Sequence, residues 1–195
     1  MSLSDPCALF PHPVLTKPTS GRQPTHEEID TILQEIYANA ISVPSFLDED
    51  NKTCLYVVTT QAQYQAMMET EEDYTEPPHP GPSPVYQVGA TNAQITAANQ
   101  EYAMKEKAYT MRMAVEARTK KQIIDAFDSD YLVAKKHRLL GYTNVTARDL
   151  IQHLIKEYGS YTRDALTANE AKFTKEWNPA VETIEKYYEC IQHYE

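Results

Sequence analysis

His153 and Glu157 stand four residues apart, the spacing at which one helical turn presents two side chains on the same face. Two potential ligands do not make a metal site. His26, His137, His153 and His193 bring together no set of His and Cys at helical spacing that reaches the three or four ligands zinc takes, so His153 with Glu157 reads as a helix-surface pair. Cys54 has in Asp50 and His26 the residue types that activate a thiol nucleophile, but no spacing brings the three together, and a buried structural cysteine is expected. The acidic run Glu69 to Glu76 lacks the Asp-x-Asn-x-Asp-Gly order of a calcium loop and reads as solvated charge. Trp177 reads as a core anchor rather than a base-stacking platform. A glycine-rich phosphate loop, a GxSxG elbow, an HExxH pair and a CxxC pair are all missing, and five glycines are too few for the usual nucleotide cradles. The expectation is a non-enzyme with no catalytic residue, no cofactor and no metal, whose business is contact.

The totals agree with that. The 195 residues carry a formal net charge of −10, which repels a phosphate backbone unless positive charge is concentrated on one face. The compact basic stretches, Arg118 with Lys120 and Lys121, then Lys135 to Arg138, are too short for a nucleic-acid arm and read as solvated helix ends. Cys7, Cys54 and Cys190 are odd in number and far apart, as expected of free thiols in a reducing compartment. No apolar run approaches the roughly 20 residues needed to span a bilayer, so no membrane partner is expected. Fourteen tyrosines suit core edges and protein interfaces.

The elements that position these residues are mostly helical. Five prolines between Pro6 and Pro24 exclude regular helix and favour an extended arm lying on something else. Thr25 and Glu28 form a Thr-x-x-Glu capping box opening a helix with Ile29, Ile32, Leu33, Ile36 and Ala40 on one face, stopped by Pro44. Thr53 to Thr60 reads as a strand on its β-branched and aromatic content, without an obvious partner, and Thr60 caps a short helix through Met68. Pro77 to Pro84 reads as a stiff linker.

From Asn92 to Phe127 neither proline nor glycine occurs, predicting one helix about 54 Å long, or two with a bend, part of which reaches a neighbour. Ile95, Tyr102 and Tyr109 fall seven apart and Met113 extends the stripe. A helix from Asp130 to Leu139 ended by Gly141 follows, then one opened by the Thr146 to Asp149 box and ended by a left-handed Gly159. Helices from Thr162 and from Asn178-Pro179 complete the chain, the last with Val181, Ile184, Tyr188 and Ile191 on one stripe.

Particular segments carry a resemblance. His12-Pro13 with Leu15-Thr16-Lys17, Ala38 to Val43, Leu55 to Thr59 leading into Gln63-Tyr64, and His79 to Pro82 make one half. Gln122 to Asp128, Tyr131-Leu132, Gly141-Tyr142, Leu150 to Leu154, Tyr158-Gly159 and Trp177-Asn178-Pro179 make the other. In this order they resemble the Gag-like capsid region of copia-type retrotransposons over nearly the whole chain. The resemblance implies a self-assembling helical capsid domain without an active site, located in cytoplasmic virus-like particles. The family pattern continues into a second capsid domain and a basic or zinc-knuckle tail, so contact with element RNA is expected only indirectly or through such a tail.

The expected fold is mainly α, a multi-helix bundle of capsid type with a small β-strand or hairpin element near the N-terminal third. The expected organisation is an arm over 1–24, a helix/strand/helix unit over 25–76, a linker over 77–91 and a helical domain over 92–195. Self-contact is expected at Tyr102, Tyr109 and Met113 on the long helix and at Tyr187, Tyr188 and Ile191 on the last. The alternative is a domesticated Gag-derived adaptor that recruits another protein through the proline-rich segments.

Overall fold

A computed structural model describes residues 6–45 and 53–159, together with Thr183. Five α-helices run through the described residues: α1 (His26–Ser42), α2 (Gln61–Met68), α3 (Asn92–Ala126), α4 (Ser129–Leu132) and α5 (Ala147–Tyr158). Short 3-10 turns lie at Pro6–Leu9, Cys54–Val57 and Val133–Lys135. The expected helices beyond Gly159, with Trp177 and Cys190, fall outside the described residues.

Local chemistry starts each long helix. Thr25, Thr60, Thr91 and Thr146 each accept from the N3 backbone N–H, while the N3 side chain of Glu28, Gln63, Gln94 or Asp149 returns the bond to the cap backbone. At α1 burial pushes the Glu28 carboxyl up, but hydrogen bonds from Thr25 and Thr19 and the Arg22 guanidinium at 2.9 Å outweigh this and hold it down at about 2. Because the folded value lies below the ordinary one, this stabilisation is present above about pH 4.5 and is lost as pH falls toward 2. Glu28→Gln is expected to lower stability by about 1 kcal/mol at pH 7, the figure already discounted for solvent screening, with no difference from wild type near pH 2. Urea unfolding at both pH values checks this.

The arm is docked, as its prolines suggested. Phe10 and Leu15 are buried in the core, and Thr16 and Thr19 donate to Glu35 and Glu28 on α1. Two buried amides, hydrogen-bonded to each other, grip its backbone. Asn39 of α1 accepts from His12 N at 2.8 Å and donates to His12 O at 2.8 Å. Gln122 of α3 donates to His12 O at 2.8 Å and to Pro13 O at 2.9 Å.

The expected β element at Thr53 to Thr60 is not there, and no strand occurs among the described residues. Cys54–Val57 is instead a 3-10 turn, entered through Thr53 and closed where Thr59 Oγ1 donates to Leu55 O at 2.9 Å. An extended segment needs a partner strand to satisfy its backbone, and the nearest approach is a single antiparallel bridge between Pro44 and Thr53. Cys54 through Thr59 are all buried, so β-branched and aromatic content reported burial rather than extension.

Helix α3 is unbroken and about 52 Å long. Its second half supplies Val115, Thr119, Gln122, Ile123 and Ala126 to the interior, whereas none of its residues from Asn92 to Lys107 is buried. Roughly 24 Å of helix therefore extends past the core. The predicted helix Asp130 to Leu139 is shorter: α4 stops at Leu132, and His137 and Gly141 close a tight turn through bonds of 2.8 and 3.0 Å. Gly159 ends α5 with a right-handed φ of −82° rather than the expected left-handed one. A Cβ there would come 2.6 Å from Ile155 O, so close approach rather than φ explains the glycine.

Phe10 and Leu15 of the arm, Ile32 and Ile36 of α1, Leu55 and Tyr56, Ile123 of α3 and Leu150 and Leu154 of α5 belong to one hydrophobic cluster. One core thus draws on segments from both sides of Pro77 to Pro84.

Candidate docking surface

The constellations that could have carried chemistry do not assemble among the described residues. The Cys54 thiol is buried and pushed up to about 12, chiefly by desolvation, so it stays protonated at neutral pH. His26 sits 2.9 Å from Asp30 one turn along α1, and Asp50 lies outside the described residues. His153 is not on the surface with Glu157. It is buried, its Nε2 is 2.9 Å from Tyr131 O, and its ring lies edge-on to Tyr158. The signal was available, since 153 stands three residues from Leu150 and shares its inward face. No group of three His, Cys, Asp or Glu residues among those described could hold a metal ion. No described helix is long and apolar enough to cross a membrane.

The expected contact residues fall in different settings. Tyr102 is half-buried and donates to Gly81 O at 3.3 Å, while Tyr109 packs edge-on against His79 with centroids 5.0 Å apart. Both rings hold the proline-rich segment back along α3. Tyr86 adds a hydrogen bond to Asn99. Met113 is 44% exposed and stands in an open groove of about 730 Å³ between α3 and the loop Thr143 to Thr146, with Ala117, Ile124 and Val145 along its floor. Tyr187, Tyr188 and Ile191 lie outside the described residues.

Two carboxylates missed by sequence reasoning tie this face together. Glu76 ends the acidic run but is not simply solvated. It pairs with Arg112 of α3 and, at 2.8 Å, with Arg148 of α5, whose guanidinium also donates to Tyr56 O at 2.5 Å and lies over the Tyr74 ring at 5.6 Å. Glu116 accepts from Ala147 N at 2.6 Å, capping α5 from a neighbouring helix, and burial pushes its carboxyl up against the pull of that N–H and nearby cations. Neither contact has a local signature. Glu76→Gln leaves two guanidinium groups short of a charge partner, each about one-third exposed. It is expected to cost about 1 to 2 kcal/mol in urea unfolding at low salt, and less at 1 M salt.

Large apolar side chains reach solvent at the turn after α4: Val133 is 62% exposed, Leu139 81% and Leu140 51%. The turn is fixed, because His137 Nδ1 accepts from Leu139 N at 3.2 Å and from Leu140 N at 3.1 Å. Lys135, Lys136, His137 and Arg138 are exposed beside them, in a closed turn rather than the solvated helix end expected. Val85 and Val88, just past the prolines, are also almost fully exposed. No family model matches the chain, and comparison with curated proteins and with solved structures gives no match.

Proposed function

We propose that this chain is a structural protein that assembles with copies of itself, a Gag-like capsid protein of the copia retrotransposon kind that builds the shell of cytoplasmic virus-like particles. The observation that carries the reading is the display of Val133, Leu139 and Leu140 in water, the two leucines on a turn that His137 holds in place. Apolar groups held outward by a fixed backbone gain most when a partner surface covers them. The half of α3 that extends past the core, with Met104 exposed, offers a second reach toward a neighbour. The alternative, an adaptor without catalytic activity, draws support from exposed Val85 and Val88 after the proline run.

Light scattering on gel-filtered protein over a concentration series, followed by negative-stain electron microscopy, tests the proposal. Dimers growing into regular shells, tubes or sheets are expected. A strict monomer at every concentration would remove it in favour of the adaptor, whose own check is retention of a partner that Val85→Asp/Val88→Asp abolishes.

A further inference from the structure

We infer that copies of this chain join head to tail, the basic turn Lys135 to Leu140 of one copy seating on the acidic segment Met67 to Asp73 of the next. This rests on the self-assembly proposed above and specifies its contact.

The two surfaces are opposite in sign and alike in construction. On the turn, Lys136 and Arg138 form no ion pair among the described residues, and Leu139 and Leu140 project beside them. On the acidic segment, Glu69, Glu71 and Glu72 are exposed and likewise form no ion pair among the described residues, and Met67 beside them is 46% exposed. That segment is fixed too. Thr70 N donates to Gln65 O at 3.1 Å, and Gln65 Nε2 donates to Glu71 O and to Asp73 Oδ1, both at 3.1 Å. Each surface therefore offers charge of one sign around an apolar centre on backbone that is already ordered, so little conformational freedom is lost on contact.

The net charge of −10 bears on the choice of partner. Another copy repels the chain as a whole just as nucleic acid and anionic lipid do, so the contact rests on local pairing of opposite charge, which a second copy offers on its exposed acidic segment. A contact between two different patches is heterologous, and repeated, it closes rings or propagates rather than stopping at a dimer. That is what a shell requires.

The test uses the full chain in two charge-reversed variants, Lys135→Glu/Lys136→Glu/Arg138→Glu and Glu69→Lys/Glu71→Lys/Glu72→Lys, each checked by circular dichroism for wild-type helicity. Association is followed by sedimentation velocity at 0.05 M and 0.5 M NaCl. Each variant alone is expected to weaken self-association at least tenfold at low salt, and an equimolar mixture to associate again, because each then offers the other a surface of opposite charge. Leu139→Ser/Leu140→Ser, which leaves the charges in place, is expected to weaken association at both salt concentrations. Wild-type assembly that either charge variant retains, or folded variants whose mixture stays dissociated, overturns this contact and leaves self-assembly standing. A wild-type chain that never associates removes both.

Discussion

Asn39→Ala is expected to destabilise the fold by about 3 kcal/mol and to release the arm before the rest of the chain unfolds. The fully buried amide of Asn39 makes three bonds, to His12 N, to His12 O and, at 3.3 Å, to Gln122 Oε1. Alanine leaves His12 N and Gln122 Oε1 without these partners in a place where water has little access, and an unsatisfied buried group costs roughly 1 to 3 kcal/mol. Phe10 and Leu15 flank this point in the core, so loosening it exposes apolar surface as well. Two readouts separate a local release from general weakening. Trypsin cleavage after Arg22 should accelerate more than cleavage after Lys120 and Lys121 in α3, and urea unfolding should show the loss in midpoint. Asn39→Asp keeps the acceptor for His12 N but turns a buried carboxylate oxygen on two acceptors, His12 O and Gln122 Oε1, and should cost at least as much as Asn39→Ala at neutral pH. Equal acceleration at all three sites would show that the amide merely stabilises the whole fold.

The interactions just described mark the boundary of what the sequence discloses. Capping boxes at Thr25 and Thr146 were legible because their partners lie three residues away, and the limits of α1 and α3 followed from proline and glycine placement. Asn39 meets a carbonyl 27 residues earlier and Gln122 one 110 residues earlier, and nothing local advertises either. The error at Thr53 to Thr60 has a different source. β-branched and aromatic residues fit any tightly enclosed site, and without a visible partner strand they could not distinguish an extended ladder from a buried 3-10 turn.

The residues picked for self-contact meet different surroundings. Met113 does stand in an open groove, but Tyr102 and Tyr109 engage the chain's own proline segment, because a stripe on a helix reports that it will be covered and not by what. Leu139 was assigned to the end of a helix from Asp130, with Leu140 between it and the terminating Gly141. The backbone leaves α4 at Leu132 instead, and the same two leucines come to point into solvent.

The two halves of α3 provide the other large effect. Ile123→Ala is expected to cost about 3 to 4 kcal/mol, whereas Met104→Ala on the same helix should change stability by no more than about 0.5 kcal/mol. Helix propensity would not predict this contrast, because alanine is the best helix former and both substitutions improve it. Packing decides instead. Ile123 is fully buried among segments from both sides of the proline run, so truncation leaves a cavity that neighbouring side chains, already interlocked, fill only partly. Met104 is 61% exposed on the extension and gives up little contact. Urea unfolding under conditions that keep the chain monomeric checks both values. Repeating it at assembling concentrations then asks what the extension is for. If a neighbouring copy covers Met104, its truncation should become costly only there, by the lost affinity rather than by lost folding. A Met104→Ala penalty that is the same at both concentrations would assign the extension to the monomer's own packing and confine self-contact to the region around the turn and the groove.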